Sequence, residues 1–128
     1  MIAVTLYAAI NQDPAMQWFM HSCGLTVAVA IPLLLLGRGQ KFNLVARQLY
    51  LLTSASWVLM SLAGALPLYM GDFGLSPANA AFEAVSGITT TESTILSSIE
   101  TYSPSMLLWR SMLQWLGGLG VIGMAVFI

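Results

Sequence analysis

From Met16 to Leu36 the chain carries no Asp, Glu, Lys or Arg. A helix of that length rises about 30 Å, the thickness of a bilayer's hydrocarbon core. In lipid each backbone N–H and C=O must be satisfied within the segment, so a span of this kind is helical. The remaining composition agrees: of 128 residues, 58% are hydrophobic and 7% charged, with a mean hydropathy of +0.82, against about 25% charged in a soluble domain. The expected fold is an all-α membrane protein.

Several function classes fall away on charge and motif. A net charge of −1 with four Lys and Arg in total offers no basic face for nucleic acid. There is no G-x-x-x-x-G-K-[ST] loop, no G-x-G-x-x-G, no nucleophile elbow and no zinc pattern, so the chain is not expected to be an enzyme or to hold a cofactor. His21 has no Cys, Asp or Glu at metal spacing, and Cys23 lies inside the apolar span with no second cysteine to pair with. Both read as packing residues.

Punctuation along the chain sets the order of elements. Met1 to Ile10 covers half a membrane and reads as a shortened helix. Asn11 to Pro14, NQDP, is a polar turn, with Pro14 opening the next helix at its first turn. Gly37 to Gln48 holds Arg38, Lys41 and Arg47 and no acid, which marks the cytoplasmic side. A third span, Leu49 to Met70, carries Tyr50 and Tyr69 near its two ends, and Pro67 is expected to bend or end it. An outer turn, GDFGLSP, then supplies Ser76 as N-cap and Pro77 as first-turn proline of a short helix, Pro77 to Ser86, closed by Gly87. Ser97 to Pro104 reads as an outer loop. Met106 to Ile128 reads as the last span, with Trp109 and Trp115 in its outer part. Asp13, Asp72 and Glu100 read as solvated charges of the outer face.

Between these spans lies AFEAVSGITTTESTIL, Ala81 to Leu96. A helix of about 15 to 18 Å reaches halfway into the membrane, and the polar run after it must climb back. Non-helical backbone survives at that depth only where protein or a water-filled cavity satisfies it. Thr89 to Thr91 can present backbone carbonyls and hydroxyls that replace the water of a dehydrating cation. Glu83, on the short helix, reads as a buttress behind this run. Arg110 is a cation at membrane depth and needs an acid such as Glu83 or Glu100, unless it snorkels to the outer interface. Gly117, Gly118, Gly120 and Gly123 permit close approach to the short helix and the third span.

The order helix, short pore helix, threonine run, helix is shared by potassium channels and the Trk/Ktr/HKT potassium-transporter superfamily, and the residues resemble the second. FEAVSGITTTEST resembles that family's first pore loop, F-E-x-x-S-G-x-T-T-T-G-A/S-T, and LLWRSMLQWLGGLGVIGMAVFI resembles the helix after it in bacterial Trk-type potassium-uptake subunits. RQLYLLTSASWVLMSLAGALPLYM and GDFGLSPANAAFE match the helix before the loop and its outer turn. The resemblance implies four helix–pore helix–helix units in one chain around a central pathway, after an N-terminal helix pair. Residues 1–48 are then the extra helices and basic loop, 49–128 the first unit, and three further units are expected beyond this sequence. It also implies K+ as the transported ion, held along a selectivity filter of Ile88, Thr89, Thr90, Thr91 and Glu92, with Glu83, Ser86, Gly87 and Arg110 in support. The expected location is a bacterial inner membrane, crossed several times. The implied partners are lipids, the remaining repeats or other subunits, a second copy in a homo-oligomer, and a cytoplasmic nucleotide-binding regulatory subunit.

One residue departs from the pattern. The family's glycine after the threonines takes φ > 0 cheaply, whereas a residue with a Cβ pays on the order of 1 kcal/mol for a left-handed conformation, and here that residue is Glu92. Three readings follow: an added anionic site favouring sodium or divalent ions, a carboxylate turned to the outer vestibule with potassium still passing, or a filter in an inactive fragment that no longer conducts. Two readings outside the transporter class stand beside them: a small homotetrameric cation channel with a ring of Glu92, and a non-transporting membrane helical protein.

Overall fold

The computed structural model describes residues 1–38, 45–71, 73–97 and 99–127, with backbone alone at 46 and 124–127. Lys41 of the basic loop and Asp72 of the outer turn lie outside the described residues. The elements are α1 (Ile2–Ile10), α2 (Met16–Gly37), α3 (Ala46–Met70), α4 (Pro77–Ile88), a 3₁₀ turn (Ile99–Thr101) and α5 (Pro104–Phe127). Among the described residues there is no strand, and α2 and α3 are the helices long and apolar enough to cross a membrane on both counts. α5, at 24 residues, has the length, about 36 Å.

Each boundary follows from local chemistry. Asn11 and Gln12 close α1, Gln12 at φ +51. The Asp13 carboxylate then accepts from the Ala15 N–H at 2.9 Å, so Pro14 stands in the turn before α2 and the helix starts at Met16. Pro14 is therefore not in the first turn, because the aspartate has already closed the backbone two residues on. Pro67 does not end α3: the helix continues to Met70, and the Gly71 N–H reaches the Pro67 carbonyl at 2.9 Å. In a lipid setting a continued turn keeps backbone donors satisfied where a break would strand them.

At α4 the expected cap is present: Ser76 Oγ accepts from the Asn79 N–H at 3.2 Å, with Pro77 in the first turn. The helix runs past Gly87 to Ile88, with Thr89 as its C-cap. Gly87 serves packing instead, since a Cβ there would press within 3.2 Å of Leu113. The buried positions Ala80, Glu83, Ala84 and Gly87 recur at the helical period, while Phe82 and Val85 face outward.

α4 packs between α3 and α5, and α1 packs on α2 and α5. Lipid tails are as apolar as leucine, so close packing and a few polar links hold such helices together. Phe19 meets Trp109 edge-on at 6.0 Å. Trp109 is not an interface marker: it is buried, and its Nε1 donates to the Gly64 carbonyl of α3 at 3.0 Å. Among the described residues, Trp115, Tyr50 and Tyr69 are the exposed aromatics of α2, α3 and α5. Where α5 crosses the end of α4, Gly117 lies so close that any side chain would strike the Ile88 backbone, and Gly120 lies on the Trp57 ring of α3.

Asp13 also departs from expectation. It is buried rather than solvated, with Oδ2 accepting from the Ser105 N–H at 3.2 Å, so that the α1–α2 turn is tied to the start of α5. Burial pushes its pKa up, but the Ser105 hydroxyl and the N–H groups of Ala15 and Ser105 outweigh it and hold the carboxyl below the ordinary aspartate value.

Candidate functional site

α4 delivers Glu83 to the interior, and the side chain organises the segment that follows the helix. Its Oε1 accepts from Thr94 Oγ1 and from the Ile95 N–H, both at 2.7 Å. Its Oε2 lies 3.1 Å from Arg110 Nε, an ionic contact that does not complete hydrogen-bond geometry. Arg110 therefore pairs with Glu83 across α4 and α5, while Glu100 is exposed in the 3₁₀ turn. A buried carboxylate is costly unless it is paired and hydrogen-bonded, and this one has three partners. The second clamp is Ser86, whose Oγ donates to the Ser93 carbonyl at 2.6 Å.

Ahead of these clamps the chain reverses tightly. The Thr90 N–H reaches the Gly87 carbonyl at 3.1 Å and the Thr91 N–H reaches Ser86 at 3.0 Å. Thr89 Oγ1 donates to the Val85 carbonyl and lies 2.8 Å from Thr91 Oγ1, and Thr90 Oγ1 donates to the Thr89 carbonyl at 2.7 Å. A hydroxyl that donates its proton to a carbonyl keeps its lone pairs for a cation. Thr90 and Glu92 both take left-handed backbone, at φ +55 and +61. The glycine conformation expected at position 92 is thus present, carried by a glutamate.

Residues 89 to 95 are all exposed, although the helix they leave is buried on its inner face. No protein donor among the described residues reaches the carbonyl oxygens of Thr90, Thr91 or Glu92. Ile88 differs from its neighbours: it is buried, and its carbonyl lies against α5 at Gly117. On one side of Thr89 a cavity of about 480 Å³ opens, lined by Thr53, Ser54 and Trp57 of α3 and Val121 of α5. Among the described residues no group of three His, Cys, Asp or Glu converges as a metal site. His21 Nδ1 lies 2.6 Å from the Gln17 carbonyl one turn back.

The structure thus brings together Glu83, Ser86, Arg110 and the 89–95 segment, and it separates Ile88 from the exposed run. The Thr94 and Ile95 contacts were not legible as such, because nothing in the spacing from position 83 fixes where the returning chain crosses the helix. Asp13 was missed as a structural group for the same reason: its partner, Ser105, is remote in sequence.

Comparison with known proteins matches residues 15–128 to the TrkH family, described as cation transport protein. The Trk system potassium uptake protein TrkI of Halomonas elongata is 52% identical over 81 residues, covering 63% of this chain and 16% of that protein. The Trk system potassium uptake proteins TrkH of Halomonas elongata and of Escherichia coli K12 are 35% and 34% identical across the whole chain, which covers 27% of each. This chain therefore spans about a quarter of the length of the curated relatives that it matches end to end. No solved structure matches it. With that match laid over two membrane-length helices, a short clamped helix, an exposed threonine run and a glycine-bearing helix, the chain belongs to the TrkH family of cation transport proteins.

Proposed function

We propose that this chain forms one wall of a potassium pathway in a Trk-type uptake system of a bacterial inner membrane, with Thr89, Thr90, Thr91 and Glu92 lining the ion's route. The observation that carries this is the asymmetry of the 89–95 segment. Its back is fixed to α4 by Glu83 and Ser86, while the rest of the run is exposed and no donor among the described residues reaches the carbonyl oxygens of Thr90, Thr91 and Glu92. A dehydrating ion needs such a row of neutral oxygen donors, held so that the row does not collapse when the ion leaves. Ile88 lies below the row as part of its packing, with Gly87 and Gly117 bringing α5 against it.

One such wall cannot enclose an ion. The reading assigns residues 1–48 to an N-terminal helix pair with its basic loop, and 49–128 to the first of several helix–pore helix–helix units, the others completing the ring. A second copy of the subunit and a cytoplasmic nucleotide-binding regulator belong to the same reading, and they rest on the family resemblance alone; the relatives' names say only that they are Trk system potassium uptake proteins. The chemistry asked of the protein is passage and not catalysis.

The test is growth of a potassium-uptake-deficient bacterium at limiting potassium, with the full protein expressed. The protein should restore growth, and replacing Thr89, Thr90 and Thr91 together by alanine should lower the initial uptake rate about tenfold or more. Uptake by the triple variant equal to that of the parent would remove these residues from the ion path.

A further inference from the structure

We infer that Glu92 makes the pore loop of this chain a low-affinity divalent-cation site, so that millimolar Ca2+ at the outer face blocks monovalent flux through it. The inference rests on the reading of 89–92 as the ion path and adds a ligand class to it.

The geometry comes first. At φ +61 the backbone of Glu92 takes the left-handed turn that a glycine would take, so the path of the loop is kept and a carboxylate is added to it. Glu92 is exposed, as Thr89 to Thr91 before it are, and among the described residues it makes no ion pair or hydrogen bond. Arg110, the cation of the neighbouring helix, is already held by Glu83 at 3.1 Å and largely buried, so it does not neutralise Glu92. The carbonyl oxygens of Thr90, Thr91 and Glu92 receive no donor among the described residues. This is a set of hard oxygen donors, one charged and several neutral, arrayed along one strand of chain.

The donor chemistry selects the ion. A row of neutral oxygens suits a monovalent cation, because it replaces water without trapping the ion by full charge. A carboxylate beside carbonyls is the donor set of calcium, which takes 6 to 8 oxygens at flexible geometry and accepts carbonyls and waters with few carboxylates. Magnesium keeps its water shell and demands octahedral geometry, so it is the poorer ligand here. With one carboxylate from this chain, affinity belongs at the weak end of calcium sites, about 10⁻⁴ to 10⁻³ M. A divalent ion that sits longer than a potassium ion in a single-file path acts as a blocker.

The experiment is rubidium flux through the protein reconstituted in liposomes, read as the ratio of flux with and without Ca2+ for the parent, Glu92→Gln and Glu92→Gly. Block of the parent at about 1 mM, moved at least tenfold higher in both variants and weaker with Mg2+ than with Ca2+, is the expected result. An unchanged half-blocking concentration in Glu92→Gln overturns the inference and leaves the transport reading standing. Should no variant carry flux, the transport reading fails, and equilibrium dialysis of 45Ca2+ against the purified protein decides the site. Bound calcium lost in Glu92→Gln supports it, and bound calcium equal in both proteins overturns it.

Discussion

Arg110 Nε lies 3.1 Å from Glu83 Oε2, and the other oxygen of the same carboxylate holds Thr94 Oγ1 and the Ile95 N–H at 2.7 Å each. A charge on α5 is thereby coupled through one buried side chain of α4 to the segment leaving the threonine run. Removing one partner of a buried pair costs about 3 to 5 kcal/mol, because the other charge is left uncompensated, whereas removing both charges costs far less. Arg110→Met should therefore lower stability by about that amount, and Arg110→Met combined with Glu83→Gln should recover more than half of it. Denaturation midpoints of the purified protein in detergent measure both. Equal losses in the single and double variants would show that the pair is not the coupling.

The crossing of α5 over α4 gives a second prediction. Gly117 has the Ile88 backbone where its Cβ would be, and Gly118 has open space. Gly117→Ala must push α5 off the end of the pore helix, at about 1 to 3 kcal/mol for overpacking, with a loss of uptake as Ile88 and Thr89 shift. Gly118→Ala meets nothing among the described residues and gains helix propensity, up to about 1 kcal/mol. Thermal stability of the two variants side by side separates contact from a general effect of glycine. Gly117→Ala as stable as the parent would mean that α5 does not approach as closely as described.

How far this was legible follows from what kind of signal each residue carries. Ser76 and Pro77 announced the start of α4, because capping is chemistry between residues three apart. The apolar run to Leu36 announced α2, because length against bilayer thickness is read from the chain alone. Glu83 was legible as a buttress to the extent that a carboxylate among apolar residues must find partners, and the pairing of Arg110 with Glu83 in place of Glu100 was not, since it depends on how α5 crosses α4. Asp13 read as a solvated charge and Trp109 as a marker of the outer part of its span, and both are buried by contacts to Ser105 and Gly64 that no local pattern encodes. Gly87, placed after a short helix, looks like a terminator, and only the position of Leu113 shows that it is a packing residue. What remains hidden in sequence is in each case a contact between elements.

Asp13 gives the pH prediction. Its carboxyl is held below the ordinary value of 3.8 in the fold, where burial raises the pKa and the Ser105 and Ala15 donors lower it by more. A group depressed in the folded state contributes stability that is full above its unfolded pKa and is lost as pH falls through its folded pKa. The stabilisation is thus complete above about pH 5, where an unfolded aspartate is ionised, and declines below about pH 4. Asp13→Asn removes the charge at every pH. The parent should be more stable than Asp13→Asn at pH 6 to 7, with the gap closing on acidification below pH 4. A gap that holds constant down to pH 3 would assign the effect of the substitution to shape and not to ionisation.

The left-handed pair at Thr90 and Glu92 gives the last. Both residues carry a Cβ at φ near +60, where the side chain crowds the following carbonyl, at about 1 to 2 kcal/mol each. Glu92→Gly should recover about 1 kcal/mol of stability, since glycine takes this conformation without the Cβ contact. Glycine also frees the unfolded chain, which takes back part of that gain. Glu92→Ala is the informative partner, because it removes the charge and keeps the Cβ. Backbone strain as the cause predicts that only glycine stabilises, and that alanine behaves like the parent. Charge at the loop as the cause predicts that alanine and glycine gain alike. Unfolding midpoints of the three proteins at low and high ionic strength distinguish them, since strain does not respond to salt and exposed charge does.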